Sequence, residues 1–295
     1  MKKWAKRVGL GLAGLVGLVV AIVVSLNIVS TVRGGRTYPV AAETVPVPSD
    51  SATLARGKHL AEAVGKCQDC HGQDLGGQEM MNNPVMGRLW AANLTSGRGG
   101  RPADYTDADF VRSIRHGTRR DGKSLVFMPA EAYQEMSDED LGALIAYLKT
   151  IPPVDRDVPA PRTGPLARVL HVVGGFPLYP ASMVDHSPRA RTKPAPGATV
   201  EYGKYLATAG GCNSCHGPQL AGGGDPGTPN ITLGGKLAGW QEADFFRALR
   251  EGKRPDGTGI SEAMPWKNSG KMTDEEIRAV WTYISSMPKV SDKKS

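Results

Sequence analysis

The sequence predicts an all-α fold in which two tandem helical modules follow one N-terminal transmembrane helix. Three observations predict it. A five-residue signature occurs twice, as Cys67-Gln68-Asp69-Cys70-His71 and as Cys212-Asn213-Ser214-Cys215-His216. Aligning the two signatures brings much of the surrounding sequence into register. An uncharged run of 25 residues, Val8 to Val32, precedes both.

That run is preceded by Lys2, Lys3, Lys6 and Arg7 and closed by Arg33 and Arg36. As a helix it is long enough to cross a hydrocarbon layer of roughly 30 Å. A secretory signal peptide also starts with positive charge, but its apolar core spans only about 7–15 residues and ends at a small-residue cleavage site. Asn27-Ile28-Val29-Ser30-Thr31-Val32 offers no such site, which favours an uncleaved anchor within residues 1–36. The basic flank ahead of the helix keeps the N-terminus cytoplasmic. Gly9, Ala13 and Gly17 fall on one face at four-residue spacing. Such a stripe can admit a second membrane helix, although a glycine-rich apolar segment explains it more simply.

A linker, 37–50, leads to the first module, 51–151; the second is 200–289, followed by a tail, 290–295. Gly57-Lys58-His59-Leu60 matches Gly203-Lys204-Tyr205-Leu206, and Asn93-Leu94-Thr95 matches Asn230-Ile231-Thr232. Tyr105 to Phe110 matches Trp240 to Phe245, Asp121-Gly122 matches Asp256-Gly257, and Met128-Pro129 matches Met264-Pro265. Met136-Ser137-Asp138-Glu139-Asp140 matches Met272-Thr273-Asp274-Glu275-Glu276.

Each module reads as three helices. The first begins near Ser51 or Val200 and runs into the signature. The second spans Asp107 to His116, capped by Thr106 and stopped by Gly117; its counterpart is Glu242 to Glu251, stopped by Gly252. The third begins at the caps Ser137 and Thr273, with an acid three residues on, as in a capping box. Leu141, Leu144, Ile145 and Leu148 then give an apolar face at helical spacing. The Gly- and Pro-rich loops between helices contain no convincing strand. The connector, 152–199, carries ten prolines and one helix-like stretch, Pro165 to Val173. It reads as an extended connector with a short docked element, anchored by Phe176, Leu178 and Tyr179. A disordered spacer is the alternative.

Cys-x-x-Cys-His is the attachment signature of c-type haem. The two cysteines, one helical turn apart, can each form a thioether to a vinyl group, and the histidine can reach the iron. The two signatures use all four cysteines of the chain, leaving none for a disulfide or a nucleophile. A redox dithiol would sit after a strand in a βαβ unit, and no such pattern is present. One zinc site built from both pairs would leave ligands over.

On these residues each module resembles a class I cytochrome c domain. The resemblance implies two covalently bound haem c groups, with Cys67, Cys70 and His71 at one iron and Cys212, Cys215 and His216 at the other. It also implies a sixth ligand from a Met-Pro loop before the last helix, which falls on Met128 and Met264. A neutral thioether favours ferrous iron and raises the potential. Met136 and Met272 repeat as well, but each sits one residue before a helix cap and five before Leu141 or Ile277, as a hydrophobic staple does. Met80, Met81 and Met86 have no counterpart in the second module. The interval from His71 to Met128 is 57 residues against 48 from His216 to Met264. His116 is therefore the rival at the first iron, although the second module has Glu251 there and an exposed helix-end histidine would explain it. His59, His171 and His186 read as surface or packing residues. Asn93-Leu94-Thr95 and Asn230-Ile231-Thr232 match a glycosylation acceptor, but the resemblance places both in a loop lining the haem. Gly222-Gly223-Gly224 lacks the lysine and strand–helix context of a phosphate loop.

The formal charge is +7. Arg112, Arg115, Arg119, Arg120 and Lys123, and Arg247, Arg250, Lys253 and Arg254, gather near the distal loops. They are expected either as a collar that steers an acidic partner or as a mixed, solvated surface. Nucleic acid is not an expected partner.

Together these readings predict an electron carrier in the inner (cytoplasmic) membrane with its haem modules facing the periplasm. It would pass single electrons between a respiratory dehydrogenase or quinol-oxidising complex and a terminal acceptor, without independent catalysis. The whole-chain pattern is similar to cytochrome subunits of periplasmic alcohol and sugar dehydrogenases, which commonly carry three haem motifs where this chain has two. A haem subunit of a cytochrome oxidase fits the same pattern. A di-haem peroxidase or reductase would need one open iron, against which two parallel Met-Pro loops argue. A haem-based sensor would need an output domain.

Overall fold

Helix α1, Lys2–Gly34, contains the apolar run; it is long and apolar enough to cross a membrane, and none of the described residues covers its central stretch. The computed structural model describes residues 2–223 and 227–292. Gly224 of the glycine triplet and the last three residues of the tail lie outside them.

In the first repeat, α2 (Ser51–His59) is capped by Asp50, whose carboxylate accepts from the Thr53 amide at 3.0 Å. It continues through a π-helical turn, Leu60–Val64, toward α3 (Cys67–His71). Next come α4 (Asp107–His116), α5 (Ala130–Tyr133) and α6 (Asp138–Thr150). The second repeat supplies the counterparts α8 (Val200–Ala209), α9 (Cys212–His216), α10 (Glu242–Glu251), α11 (Trp266–Ser269) and α12 (Asp274–Ser286). Thr106, Gln241 and Thr273 close full capping boxes, while Ser137 caps α6 through Asp140 alone. Gly117 and Gly252 end α4 and α10 in the left-handed conformation that glycine adopts without strain.

The first and last helices of each repeat cross at a glycine. A Cβ on Gly57 would collide with the Ala143 carbonyl on α6, and one on Gly203 with the Ala279 carbonyl on α12. Both crossings are lined by fully buried aliphatics, Leu60, Leu141 and Ile145 in one repeat and Leu206, Ile277 and Ile284 in the other.

The expectation of an all-α fold holds only roughly. A small antiparallel sheet accompanies the helices, with β1 (Glu79–Asn83), β2 (Gly87–Trp90) and β3 (Arg162–Thr163) in spatial order β1-β2-β3. β1 reads Glu-Met-Met-Asn-Asn, without alternation, and carries a bulge between Glu79 and Met81, so periodicity could not reveal it. β3 comes from the Pro-rich connector, with 71 residues between it and β2, and pairs through Gly87 to Thr163 and Arg88 to Arg162.

The connector is docked. Arg156 pairs with Asp74 at 2.8 Å, and helix α7 (Pro165–Val172) packs on the C-terminal end of α1. Phe176 stacks on Phe127 at 5.0 Å between ring centroids, and Leu178 is fully buried. The Leu178 carbonyl accepts from the Phe127 amide at 3.0 Å, one residue before Met128.

Overpacking a helix crossing costs roughly 1–3 kcal/mol. Gly57→Ala and Gly203→Ala are each expected to lose about that much in thermal unfolding of the full-length protein. Gly9→Ala, where nothing lies within 4 Å, is expected to leave the transition unchanged.

Candidate functional site

Each Cys-x-x-Cys-His segment is a single turn of helix entered through a left-handed residue, Lys66 (φ 51°) before Cys67 and Gly211 (φ 72°) before Cys212. The reversal swings the turn away from the preceding helix and puts both cysteines and the histidine of one motif on one short element. The His71 Nδ1–H donates to the Ala92 carbonyl at 2.7 Å, and the His216 Nδ1–H to the Pro229 carbonyl at 2.8 Å. A carbonyl can only accept, so in the neutral ring both bonds fix the tautomer with its lone pair on Nε2, the form a metal needs. Burial pushes the His71 pKa down, against the opposing hydrogen bond to Ala92. The imidazole is thereby kept neutral.

The two accepting carbonyls are themselves held. Ala92 and Pro229 precede Asn93 and Asn230, whose side chains donate to the Val154 and Val290 carbonyls at 2.8 and 2.6 Å. Each Asn Oδ1 also accepts from the amide of Thr95 or Thr232 at 2.9 Å. The repeated Asn-x-Thr triplets are therefore buried latches that bind the segment after each last helix, and the Asn amides are spent on that segment. Both latches close just past the last helix of the repeat, on Val154 and Val290. The loops between signature and latch coincide in detail. Leu75 and Leu220, both buried, share left-handed φ values of 55° and 54°. Their carbonyls accept from Leu94 and Ile231, each at 2.8 Å.

Burial pushes the Cys67 thiol up to about 12, and the Cys70 and Cys212 thiols also upward. That is the opposite of a reactive dithiol, whose thiolate is stabilised. Among the described residues, no group of three or more His, Cys, Asp or Glu is gathered as a metal cage.

Met128 and Met264 are half-buried against the core, each followed by Pro and a one-turn helix, α5 or α11. The Tyr133 hydroxyl on α5 donates to the Gly65 carbonyl at 2.6 Å, tying the Met128 loop to the residues just before Cys67. Met136 and Met272 are buried in the core, as staple residues should be. Met80 and Met81 lie on β1, and Met86 lies in the turn that follows. His116 is buried, not exposed: its Nε2 bonds Glu43 at 2.9 Å and its Nδ1 bonds His186 at 3.1 Å. Both ring nitrogens are thus committed away from an iron. His171 stands edge-on to Tyr179.

The donor set fits haem c in its chemistry: adjacent unionised thiols, a histidine with a fixed tautomer, and in each repeat a half-buried thioether on a Met-Pro loop. Two buried indole N–H groups without acceptors, Trp90 Nε1 and Trp266 Nε1, are near neighbours in sequence of Ala92 and Met264. They are the kind of donor that a carboxylate-bearing cofactor satisfies.

Sequence reasoning missed how the two motifs meet. Lys66 donates to the Val64 carbonyl in its own repeat and to the Gly210 carbonyl in the other, at 3.1 and 2.5 Å. Asn268 on α11 donates to Asp69, inside the first signature. Behind the motifs, Arg56 pairs with Asp140 (2.8 Å) and Glu276 (2.9 Å). His59 reaches across to Glu276 at 2.6 Å, and the aligned Tyr205 reaches across to Asp140 at 2.7 Å. The one available signal was the pairing of acids at the two capping-box positions.

Most of the distal arginines are paired: Arg119 with Asp121, Arg120 with Asp104 and Asp109, Arg247 with Asp244, Arg250 with Asp274. Arg115 is fully buried between Glu43 and Asp138. This is a mixed surface, not a positive collar.

Fold and site together define a c-type cytochrome. Residues 52–148 and 198–284 match the family described as cytochrome c oxidase, cbb3-type, subunit III, and the chain belongs to it. It is 29% identical over 277 residues to the cytochrome c subunit of the quinone alcohol dehydrogenase of Gluconacetobacter polyoxogenes, covering 82% of this chain and 57% of that one. It is 28% identical over 277 residues to the fructose dehydrogenase cytochrome subunit of Gluconobacter japonicus, covering 83% and 55%. A diheme cytochrome c-type protein of Cereibacter sphaeroides is 29% identical over 288 residues, covering 84% of this chain and 92% of its own length. The chain thus spans a little over half the length of the dehydrogenase subunits it matches. It is an electron-transfer cytochrome that carries haem c.

Burial pushes Glu276 up, but the hydrogen bond and charge of His59, the Thr273 amide and Arg56 outweigh it and hold the carboxyl at about 2 against an ordinary 4.5. A depressed carboxyl stabilises the folded chain fully above pH 4.5 and loses that contribution as pH falls through about 2. Acid titration of thermal stability is expected to show that loss in the native chain. Glu276→Gln is expected to start less stable at neutral pH and to show a flatter dependence in this window.

Proposed function

We propose that the chain is a membrane-tethered di-haem cytochrome whose two sites face the periplasm and pass single electrons from a dehydrogenase to a respiratory acceptor. The observation that carries this reading is the duplicated, carbonyl-fixed histidine, His71 on Ala92 and His216 on Pro229. Two equivalent proximal sites in one chain support two haems. Cys67 and Cys70 would hold one by thioethers, and Cys212 and Cys215 the other. His71 and Met128 would ligate one iron, and His216 and Met264 the other. When bound there, haem c supplies a one-electron ferric/ferrous couple.

The residues of the chain do the rest. The Met-Pro loops would close the sixth position, which favours electron transfer over activation of oxygen or peroxide. Phe176 and Leu178 brace the first loop through Phe127, and Tyr133 ties it to Gly65. Lys66 and Asn268 hold the two signatures side by side, which supports transfer between the sites within the chain. The apolar α1 would keep both next to the membrane. The names of the relatives support a dehydrogenase as donor, with the chain as the cytochrome partner of a separate catalytic subunit.

Carbon monoxide added to the dithionite-reduced, detergent-solubilised protein tests the ligation. No prompt spectral shift is expected, because both sixth positions are filled. Met128→Ala and Met264→Ala are each expected to open one site and give binding at half the haem content. Prompt binding in the native chain would instead indicate an open iron and an enzyme.

A further inference from the structure

We propose that α7 and the turn between β1 and β2 form a second membrane contact, lying in the headgroup layer on the outer side of the bilayer beside the exit of α1. This rests on the reading of α1 as a membrane span and adds a surface that the span alone does not imply.

The 25-residue apolar run of α1 is about 37 Å long as a helix, at about 1.5 Å per residue. That exceeds a hydrocarbon layer of roughly 30 Å by about one turn or more. With Lys6 and Arg7 in the inner headgroups, Ile28 to Val32 therefore emerge into the outer headgroup layer. α7 packs at this level: Arg168 Nη1 donates to the Thr31 hydroxyl at 3.3 Å, and its Nε to Thr163 at 3.0 Å. Tyr179 lies so close against Gly34 that a Cβ there would strike its ring. α7 is thus fixed against the last turn of the apolar run.

The exposed residues of this unit are apolar. Leu166 and Val173 are seven positions apart, hence on one helical face, and are 42% and 64% exposed. Val85 is 50% exposed at the β1–β2 turn. The Asn83 side chain shapes that turn by accepting from the Val85 and Met86 amides at 2.9 and 3.0 Å. The turn is joined to α7, because the Leu166 amide donates to the Val85 carbonyl and the Gly164 amide to the Met86 carbonyl, each at 2.9 Å. Beside them, Ile28 and Val32 on α1 are equally open. Arg33, Arg36 and Arg162 are exposed around this apolar set, where phosphate groups would meet them. Apolar face inward and basic rim outward is the pattern of a helix lying in the membrane interface. A lipid surface is the occupant that continues the environment of α1 without interruption. The same unit reaches the first Met loop through Phe176 on Phe127, so the contact would also set the tilt of the first repeat over the membrane.

Photo-crosslinking in the full-length holoprotein tests the inference. Benzoylphenylalanine is placed singly at Leu166, Val173, Val20 and, as an exposed control, Asp256. Each protein is reconstituted in vesicles of phosphatidylethanolamine and phosphatidylglycerol and irradiated, and lipid adducts are read by mass spectrometry. Adducts at 166, 173 and 20 but not at 256 are expected. Adducts at 20 alone would overturn the interfacial contact and leave the span intact. Absence at 20, 166 and 173 would overturn both. Adducts at 256 as frequent as at 173 would also overturn it, since the labelling would then not distinguish this surface.

Discussion

The arrangement depends on one hydrogen bond made twice, from a histidine Nδ1–H to a backbone carbonyl. It does two things at once. It sets the tautomer and orients the ring, while burial, working against the bond, keeps the His71 imidazole neutral. The remaining local structure serves it. The left-handed residue before each signature turns the histidine toward the carbonyl, and the Asn-x-Thr latch holds the carbonyl still. The latch in turn fastens the segment after the last helix, which the glycine crossing has already packed against the first. A disturbance at Gly57 or Asn93 therefore reaches His71 through two or three contacts, none of which involves a cofactor.

The second organising feature is the way the repeats face each other. Arg56 and His59 on α2 align with Tyr202 and Tyr205 on α8, and Asp140 aligns with Glu276. His59 and Tyr205 both cross to the other repeat's acid, while Arg56 spans both acids. The interface is pseudo-symmetric in position but not in chemistry: one side presents a guanidinium and an imidazole and the other two phenols. Without Arg56, Asp140 would keep, among the described residues, only Lys193 as a cation, at 3.3 Å, and Glu276 would lose its guanidinium partner. Breaking one partner of such a buried pair is costly because a charge is left unmatched. This geometry brings Lys66 and Gly210, and so the two signatures, together.

Much of this was legible in the sequence. The duplicated signature, the caps at Thr106, Ser137 and Thr273 and the apolar run of α1 each have a local cause, and local causes are what sequence patterns record. The sheet was not legible, because β1 is polar and irregular and β3 is two residues borrowed from a Pro-rich connector. The latch made by Asn93 and Asn230 was not legible for a related reason. Their partners, Val154 and Val290, offer only a backbone carbonyl, which leaves no mark on residue identity. His116 looked like an exposed helix end. Its partners, Glu43 and His186, come from segments about 70 residues away on either side, 73 and 70 by sequence separation. The docking of the two repeats was equally hidden, since aligned positions carry different residue types.

Two equivalent haem-attachment sites in one chain can be counted by intact-mass measurement of the denatured full-length protein, purified from cells that mature c-type cytochromes. The expected value is the polypeptide mass plus two covalently bound haems, falling to one in C67A/C70A and to one in C212A/C215A. A native chain carrying a single haem or none, or a double-alanine variant that still carries two, would contradict it.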